Sequence, residues 1–258
     1  MNQDIKKKII TYSKKYYNDF LKPLEVKKDS LLENPKEALN FFLDRVFYQG
    51  RQDRISEKVR DQVKLAIEEF EKAKGDFNAL FGIQNHGDLR QILFSRIGRG
   101  KVGRGSDIDL MISLLEFAAQ VKGNNLISYL KENFQRGKVV YLFQTLQKIK
   151  RIGPKISSFI LRDFSVLFGL DEGLDIDDYV ALQPVDTWVM KVGHILGLYD
   201  LKEINKMSEK KRDEKIRQSI IDYCISQKLS PPRFNQGMWY YGFSERPKVD
   251  EISKGLSL

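Results

Sequence analysis

Apolar residues recur at intervals of three and four along most of this chain, and this helical periodicity restricts the fold more than any other feature. Leu39, Leu43 and Val46, for example, would lie on one buried stripe of a helix. Asn34-Pro35 predicts where that helix starts, because asparagine caps helices and proline suits the first helical position. Strand-like alternation of apolar and polar residues is almost absent. The sequence therefore predicts an all-α protein.

The same periodicity places further helices and suggests a division into two lobes. The additional helices are expected at 55–75, 107–121, 125–135, 139–149, 155–168, 187–197, 209–228 and 235–241. Ser106 is the predicted N-cap of the second of these helices. The acidic segment 169–184 separates two strongly patterned helices and is expected to connect the lobes. We therefore expect one helical lobe at 36–168 and a second built from 1–35 plus 169–258.

Charge and cysteine content narrow the classes of function. Forty-four lysine and arginine residues against thirty-five acidic residues give a formal net charge of +9, which suits a polyanionic partner. The single cysteine, Cys224, excludes an internal disulfide and any multi-cysteine metal site. The chain contains no uncharged run of membrane-spanning length, and no long apolar stretch follows its lysine-rich start. We expect an intracellular, soluble monomer without a membrane partner, cytoplasmic and nucleoid-associated if the source is prokaryotic.

The most informative motif is the short connection between the helices expected at 139–149 and 155–168. In Lys150-Arg151-Ile152-Gly153-Pro154, Gly153 permits a tight bend and Pro154 suits a helix start. The free amides of the second helix would then point outward beside Lys150 and Arg151. This arrangement predicts a phosphate-binding hairpin, with Lys150, Arg151 and Gly153 as contacts. A plain helical hairpin in a core would satisfy the same pattern.

A second basic surface is predicted in the glycine-rich segment 97–106, where glycines alternate with basic residues. Accessible amides beside positive side chains suit phosphates, which position DNA without reporting its sequence. The candidate DNA contacts in this segment are Arg99, Lys101 and Arg104.

Two motifs together resemble the helix-hairpin-helix DNA glycosylase superfamily, whose members include endonuclease III and the 8-oxoguanine DNA glycosylases. The first motif is Ile-Lys-Arg-Ile-Gly-Pro-Lys-Ile-Ser at 149–157, and the second is Val185-Asp186-Thr187. Asp186 follows Lys155 by 31 residues (186 − 155). Weaker likeness extends to 47–52 and 237–242. The resemblance implies an all-α fold of two lobes, with an active-site cleft between them that acts on duplex DNA containing a damaged base.

Position-by-position matching implies the roles of individual residues. Lys155 would be the nucleophile, Asp186 the catalytic carboxylate, and Gln49 the residue that enters the gap left by the extruded base. The implied activity is base excision joined to strand cleavage through a lysine Schiff base, with an oxidised purine such as 8-oxoguanine as the favoured substrate. Aromatic residues at helical spacing are more often core, but four are base-pocket candidates. They are Trp188, Phe234, Trp239 and Tyr241.

The chain departs from the family pattern in ways that bear on cofactors. Arg151 stands where the hairpin's first glycine usually lies, which puts the local backbone geometry in doubt. The iron–sulfur cluster of endonuclease III is excluded by the single cysteine, and His86 and His194 are too few for a zinc site. No resident metal is therefore expected. The resemblance implies only a monovalent cation on the hairpin carbonyl groups.

Two other classes of function fit parts of the sequence. Gly103-Arg104-Gly105-Ser106-Asp107-Ile108-Asp109 resembles a nucleotidyltransferase motif, whose metal binding would require Asp107 and Asp109 on one face of a strand. A non-catalytic DNA-binding module is the other alternative, because helical hairpins also serve purely as phosphate grips. Such a grip has no need of Asp186.

Overall fold

The computed structural model describes residues 3–48, 53–98 and 101–255. Within these ranges every regular element is a helix and no residue is in a strand, so the all-α prediction is confirmed. No helix in the described ranges is both long enough and apolar enough to cross a membrane. The chain divides into two compact units, which we call the central unit (Lys27–Ile160) and the terminal unit (Met1–Val26 with Leu161–Leu258).

The helices follow one another with short connections. A π-helical turn, Tyr17–Leu21, continues the first helix, and short 3-10 turns lie at Phe77–Phe81, Ile83–Asn85 and Lys122–Asn124. In chain order the α-helices are α1 (Gln3–Tyr16), α2 (Lys22–Glu25), α3 (Lys28–Glu33), α4 (Pro35–Val46), α5 (Asp53–Lys74), α6 (His86–Ile97), α7 (Gly105–Ala119), α8 (Leu126–Gln135), α9 (Val139–Leu146), α10 (Pro154–Phe168), α11 (Ile176–Ala181), α12 (Thr187–Ile195), α13 (Leu201–Ile204), α14 (Glu209–Ser226), α15 (Pro231–Ser244) and α16 (Arg246–Gly255).

The central unit is built on the apolar stripes that the sequence predicts. Leu39, Leu43 and Val46 of α4 are all buried. Asn34 caps this helix as expected, since its side chain accepts a hydrogen bond from the Lys36 N–H at 2.9 Å. Helix α7 is buried on most of its faces and packs against α6, which in turn packs against α5. Helix α7 also contacts the turn before α10, because its Ser113 Oγ accepts a hydrogen bond from the Lys150 N–H at 3.1 Å.

The terminal unit is organised around the packing of α1 against α15. Gly237 of α15 lies at the point of closest approach, where a Cβ atom would overlap the carbonyl oxygen of Ile9. Gly242 has a similar function toward α12, because a Cβ there would lie 2.8 Å from the Cβ of Trp188. Glycine at both positions therefore lets α15 pack closely against two neighbouring helices.

Several sequence predictions require correction or completion. Helices α10 and α12 lie where they are expected. The sequence analysis assigned no helix to the segments that form α1, α2, α3, α6, α11, α13 and α16. The boundary between the units falls inside α10, after Ile160, and the acidic segment 169–184 lies within the terminal unit. Within that segment Asp171 is buried in a bidentate ion pair with Arg233. Its negative charge is thus compensated inside the fold.

Candidate functional site

The turn at 147–153 joins α9 to α10 and carries the predicted phosphate contacts. Lys150 and Arg151 are both exposed. Arg151 has a φ of 68°, which is the left-handed conformation that glycine adopts without strain. Arg151 therefore makes the backbone bend that glycine makes without strain.

Backbone amides are available at the start of α10. The first intrahelical bond runs from the Ser157 N–H to the Gly153 carbonyl at 3.0 Å, and Pro154 has no N–H. In the described part of the chain, the amides of Gly153, Lys155 and Ile156 have no acceptor. The helix start can therefore donate several hydrogen bonds to one anion.

The Lys150 amide, by contrast, is already in use, because it donates to Ser113 Oγ at 3.1 Å. This residue can contact a phosphate only through its side chain. Across the described residues, the carbonyl oxygens of Lys150, Arg151 and Ile152 accept no hydrogen bond. The monovalent cation that the resemblance implies for such carbonyl oxygens stays a prediction.

Lys155 lies in the first turn of α10 and is half-buried. Its ammonium group has no hydrogen-bond or ion-pair partner in the described part of the central unit. A lysine with a structural role would be paired with a carboxylate. Because Lys155 has no such partner there, its ammonium group is available to a ligand.

The glycine-rich segment presents two of its predicted contacts to solvent. Lys101 and Arg104 are exposed, whereas Arg99 lies outside the described residues. The prediction that Ser106 caps α7 is wrong, because the helix begins at Gly105 and Arg104 precedes it. The buried Asp107 carboxylate accepts a hydrogen bond from the Arg104 N–H at 2.7 Å. Asp107 therefore anchors the end of the basic segment to α7.

This geometry differs from the one that a nucleotidyltransferase would require. Asp107 and Asp109 both lie on helix α7 rather than on a strand, so they do not share a face. Asp109 pairs with Arg90 at 3.0 Å, and Asp107 is occupied by its cap contact. In the described ranges no group of three or more metal-binding side chains comes together. The two aspartates thus have local structural partners.

Asp186 begins α12 in the terminal unit, as the sequence predicts for an N-cap. Its Oδ1 accepts hydrogen bonds from the N–H groups of Trp188 and Val189, both at 2.9 Å. The side chain is half-buried, and in the described part of the terminal unit its Oδ2 has no hydrogen-bond partner. One oxygen therefore fixes the carboxylate, and the other is available to a positive charge.

A buried polar network in the terminal unit was not predicted from the sequence. Arg162 and Asp163 are neighbours in α10 and are both buried. Arg162 Nη2 donates to Tyr16 Oη and to Asp163 Oδ1, each at 2.9 Å, while the Tyr16 hydroxyl donates to Asp163 Oδ2 at 2.8 Å. Arg162 Nη1 donates to Asn235 Oδ1 at 2.9 Å. Burial of these charges is tolerated because each is paired and hydrogen-bonded.

The network also supports the chain that carries Asp186. Asn235 Nδ2 donates to the carbonyl oxygen of Pro184 at 3.2 Å, two residues before Asp186. Gln236 Nε2 donates to Asp163 Oδ1 at 3.1 Å and so ties α15 to the same ion pair. The sequence contains one signal for this network, an Arg-Asp pair in the middle of an otherwise apolar helix. Charges in such a position require buried partners.

The four aromatic base-pocket candidates lie in different environments of the terminal unit. Phe234 and Tyr241 are buried members of its hydrophobic core. Trp239 is half-buried and stacks on Phe243 with ring centroids 5.2 Å apart. Trp188 is also half-buried, and the Lys191 ammonium lies 5.0 Å from its ring centroid. The two tryptophans therefore keep accessible surface that the other two rings lack.

Gln49, the predicted plug residue, lies outside the described residues. Lys155 belongs to the central unit and Asp186 to the terminal unit, so their joint action stays a prediction. Comparisons with models of known families, with curated proteins and with solved structures found no match for this chain. The functional argument therefore rests on the residues themselves.

Proposed function

We propose that this protein excises a damaged base from duplex DNA, and that Asp186 and Lys155 act on the same nucleotide. The observation that carries the proposal is the state of Asp186. The cap uses only Oδ1, and Oδ2 has no partner in the described part of the terminal unit, so the carboxylate can be cap and catalyst together. A fixed carboxylate with an unused oxygen suits a developing cation.

The chemistry assigns a separate step to each residue. The bond between the sugar C1′ and the base breaks, the base leaves with the electron pair, and positive charge develops on the sugar. Asp186 stabilises that charge. Lys155, as the neutral amine, forms a bond to C1′, and ring opening produces an iminium link. Loss of a C2′ proton then breaks the bond from C3′ to its oxygen and cleaves the strand.

The surroundings of Lys155 support a DNA substrate. Amides at the start of α10 have no acceptor within the described ranges, and together with the exposed side chains of Lys150 and Arg151 they suit a phosphate beside the lysine. Such a contact would hold the duplex while leaving the lysine amine free. An oxidised purine such as 8-oxoguanine is the substrate that we test first.

Borohydride trapping on duplexes that each contain a single lesion tests the proposal. Reduction during turnover should fix a protein–DNA adduct, and peptide mapping should place it on Lys155. Lys155→Gln should abolish trapping, because it removes the amine that forms the adduct. Lys150→Gln is the matched control: it removes an equal charge nearby but keeps the Lys155 amine, so the adduct should still form. Asp186→Asn should slow excision about 100-fold to 1,000-fold while keeping the helix cap.

The outcomes separate the proposed enzyme from a DNA-binding module. Excision without any adduct would identify a monofunctional glycosylase, in which Asp186 directs water. If Lys155→Gln and Asp186→Asn both bind and process a verified lesion as the unchanged protein does, the catalytic assignment is wrong. If no lesion in the panel is excised while duplex DNA still binds through the hairpin, the binding-module alternative is favoured.

A further inference from the structure

Helix α1 of the terminal unit concentrates positive charge on one side. Its sequence contains five lysines and a single acidic residue, Asp4. Four of the lysines are exposed, and they form two pairs whose members lie seven residues apart, which is two helical turns. These four therefore share one face of α1, which we call the lysine face: Lys7, Lys8, Lys14 and Lys15.

The charge of the lysine face is not neutralised within the described part of the chain. None of its four ammonium groups has an ion-pair or hydrogen-bond partner there. Lys15 lies 5.2 Å from the ring centroid of Tyr12, a contact that leaves its charge without a carboxylate. The exposed Lys74 of the central unit, by contrast, binds Asp88 at 2.7 Å. The lysine face can therefore attract an external polyanion.

Helix α14 shows that several basic residues in a helix do not by themselves make such a face. It contains five lysine and arginine residues, but it also contains four acidic residues, so its net charge is only +1. The net charge of α1 is +4 over a shorter length. The two helices thus differ in uncompensated charge rather than in lysine content.

The opposite side of α1 is already used inside the fold. Ile5, Ile9 and Tyr16 are buried, and α1 packs on α15, where Gly237 permits the close approach. A helix that lies in a membrane surface inserts an apolar face, and the apolar side of α1 is covered by its own protein. The lysine face therefore suits a partner that offers negative charges alone, as the phosphate backbone of DNA does.

The spacing of the lysines agrees with a contact along one strand. Lys7 and Lys14 lie about 10 Å apart along the helix axis, from the rise of an α-helix. One strand of a duplex advances about 3.4 Å per nucleotide, so this length covers roughly three phosphates. The four side chains are long enough to follow such a run of charges.

We propose that the lysine face of α1 binds the phosphate backbone of duplex DNA, as a contact additional to the hairpin and the glycine-rich segment. The inference rests on the proposed DNA substrate, but it does not depend on the excision chemistry. Because phosphates report no sequence, this contact raises the affinity for damaged and undamaged duplexes alike.

Fluorescence anisotropy of the full chain with an undamaged duplex tests the proposal. A triple variant with Lys7→Gln, Lys8→Gln and Lys14→Gln should bind about 10-fold to 100-fold more weakly at about 0.15 M salt, because three phosphate contacts are lost. The slope of the logarithm of affinity against the logarithm of salt should become shallower by about 2.7. Glutamine forms helices well, so circular dichroism should show unchanged helix content.

The matched control is a triple variant of α14 with Lys210→Gln, Lys211→Gln and Lys215→Gln. It removes the same charge from exposed lysines of a helix whose basic residues are balanced by acidic ones. Affinity and salt slope should change much less than in the α1 variant. An equal loss in both variants would show that net charge alone attracts DNA, and would overturn the proposal.

A gain of charge keeps the test independent of folding losses. Thr11 is exposed and lies between the two lysine pairs, so Thr11→Lys should tighten duplex binding about fivefold and steepen the salt slope by about 0.9. The proposal is overturned if Thr11→Lys has no effect, or if the α1 glutamine variant binds the duplex as tightly as the unchanged protein. It is also overturned if that variant loses binding to phosphatidylserine vesicles but not to the duplex.

The outcome is separable from that of the proposed function. Weaker duplex binding by the α1 glutamine variant supports the lysine face even where no lesion is excised. Excision of a lesion by a variant whose duplex affinity is unchanged would overturn the lysine face and leave the proposed function intact.

Discussion

At the scale of single residues, Arg151 combines a strained backbone with an exposed charge. Its φ of 68° costs a non-glycine residue about 1–2 kcal/mol, which glycine avoids. We predict that Arg151→Gly raises the free energy of unfolding by roughly 0.5–1 kcal/mol, after the larger unfolded-state entropy of glycine is subtracted. The same change should weaken DNA binding, because a phosphate contact is lost. Urea unfolding and fluorescence anisotropy measure the two effects.

Lys150→Gly is the matched control for this prediction. Lys150 is equally exposed and adjacent, but its φ is not positive, so glycine there should lower stability. Equal destabilisation by both glycine variants would show that Arg151 is not strained.

At the scale of elements, α10 depends on partners from α1 and α15 to hold its internal charges. The Tyr16 hydroxyl both donates to Asp163 and accepts from Arg162 in a buried setting. We predict that Tyr16→Phe lowers the free energy of unfolding by about 1–3 kcal/mol, because it leaves buried charged groups with unmet hydrogen bonds. Tyr240→Phe removes a hydroxyl that binds Asp19 at the exposed surface, and it should cost less than about 1 kcal/mol.

Urea denaturation of both tyrosine variants decides the comparison. Equal losses would mean that the buried network contributes no more than a surface hydrogen bond. A larger decrease in the free energy of unfolding for Tyr16→Phe would agree with a stabilising role of the buried network around α10.

At the scale of the whole molecule, the net charge of +9 predicts salt-dependent association with DNA. If Lys101, Arg104, Lys150 and Arg151 each neutralise one phosphate, the logarithm of the association constant should fall against the logarithm of salt with a slope of about −3.6. Arg151→Glu should weaken binding to damaged and undamaged duplexes about equally, since phosphates carry no sequence information.

Lys210→Glu on α14 makes the same charge reversal at an exposed lysine outside the hairpin, and it should change the affinity much less. Anisotropy titrations at several salt concentrations measure both variants. Binding that survives Arg151→Glu unchanged would exclude the hairpin as the phosphate grip.

The local sequence determined the positions of several helices and their caps. Long-range contacts decided which residues pair with the buried charges. The positions of α4, α10 and α12, and the caps at Asn34 and Asp186, follow from periodicity and capping chemistry, which act over a few residues.

The tertiary structure alone decided where the charges of α10 find partners, because Tyr16 and Arg162 lie 146 residues apart in the chain. The left-handed backbone of Arg151, and the lack of a partner for Asp186 Oδ2 among the described residues, are likewise seen only in the structure. Helical periodicity reports which face is buried, but it carries no information about which distant residue covers that face.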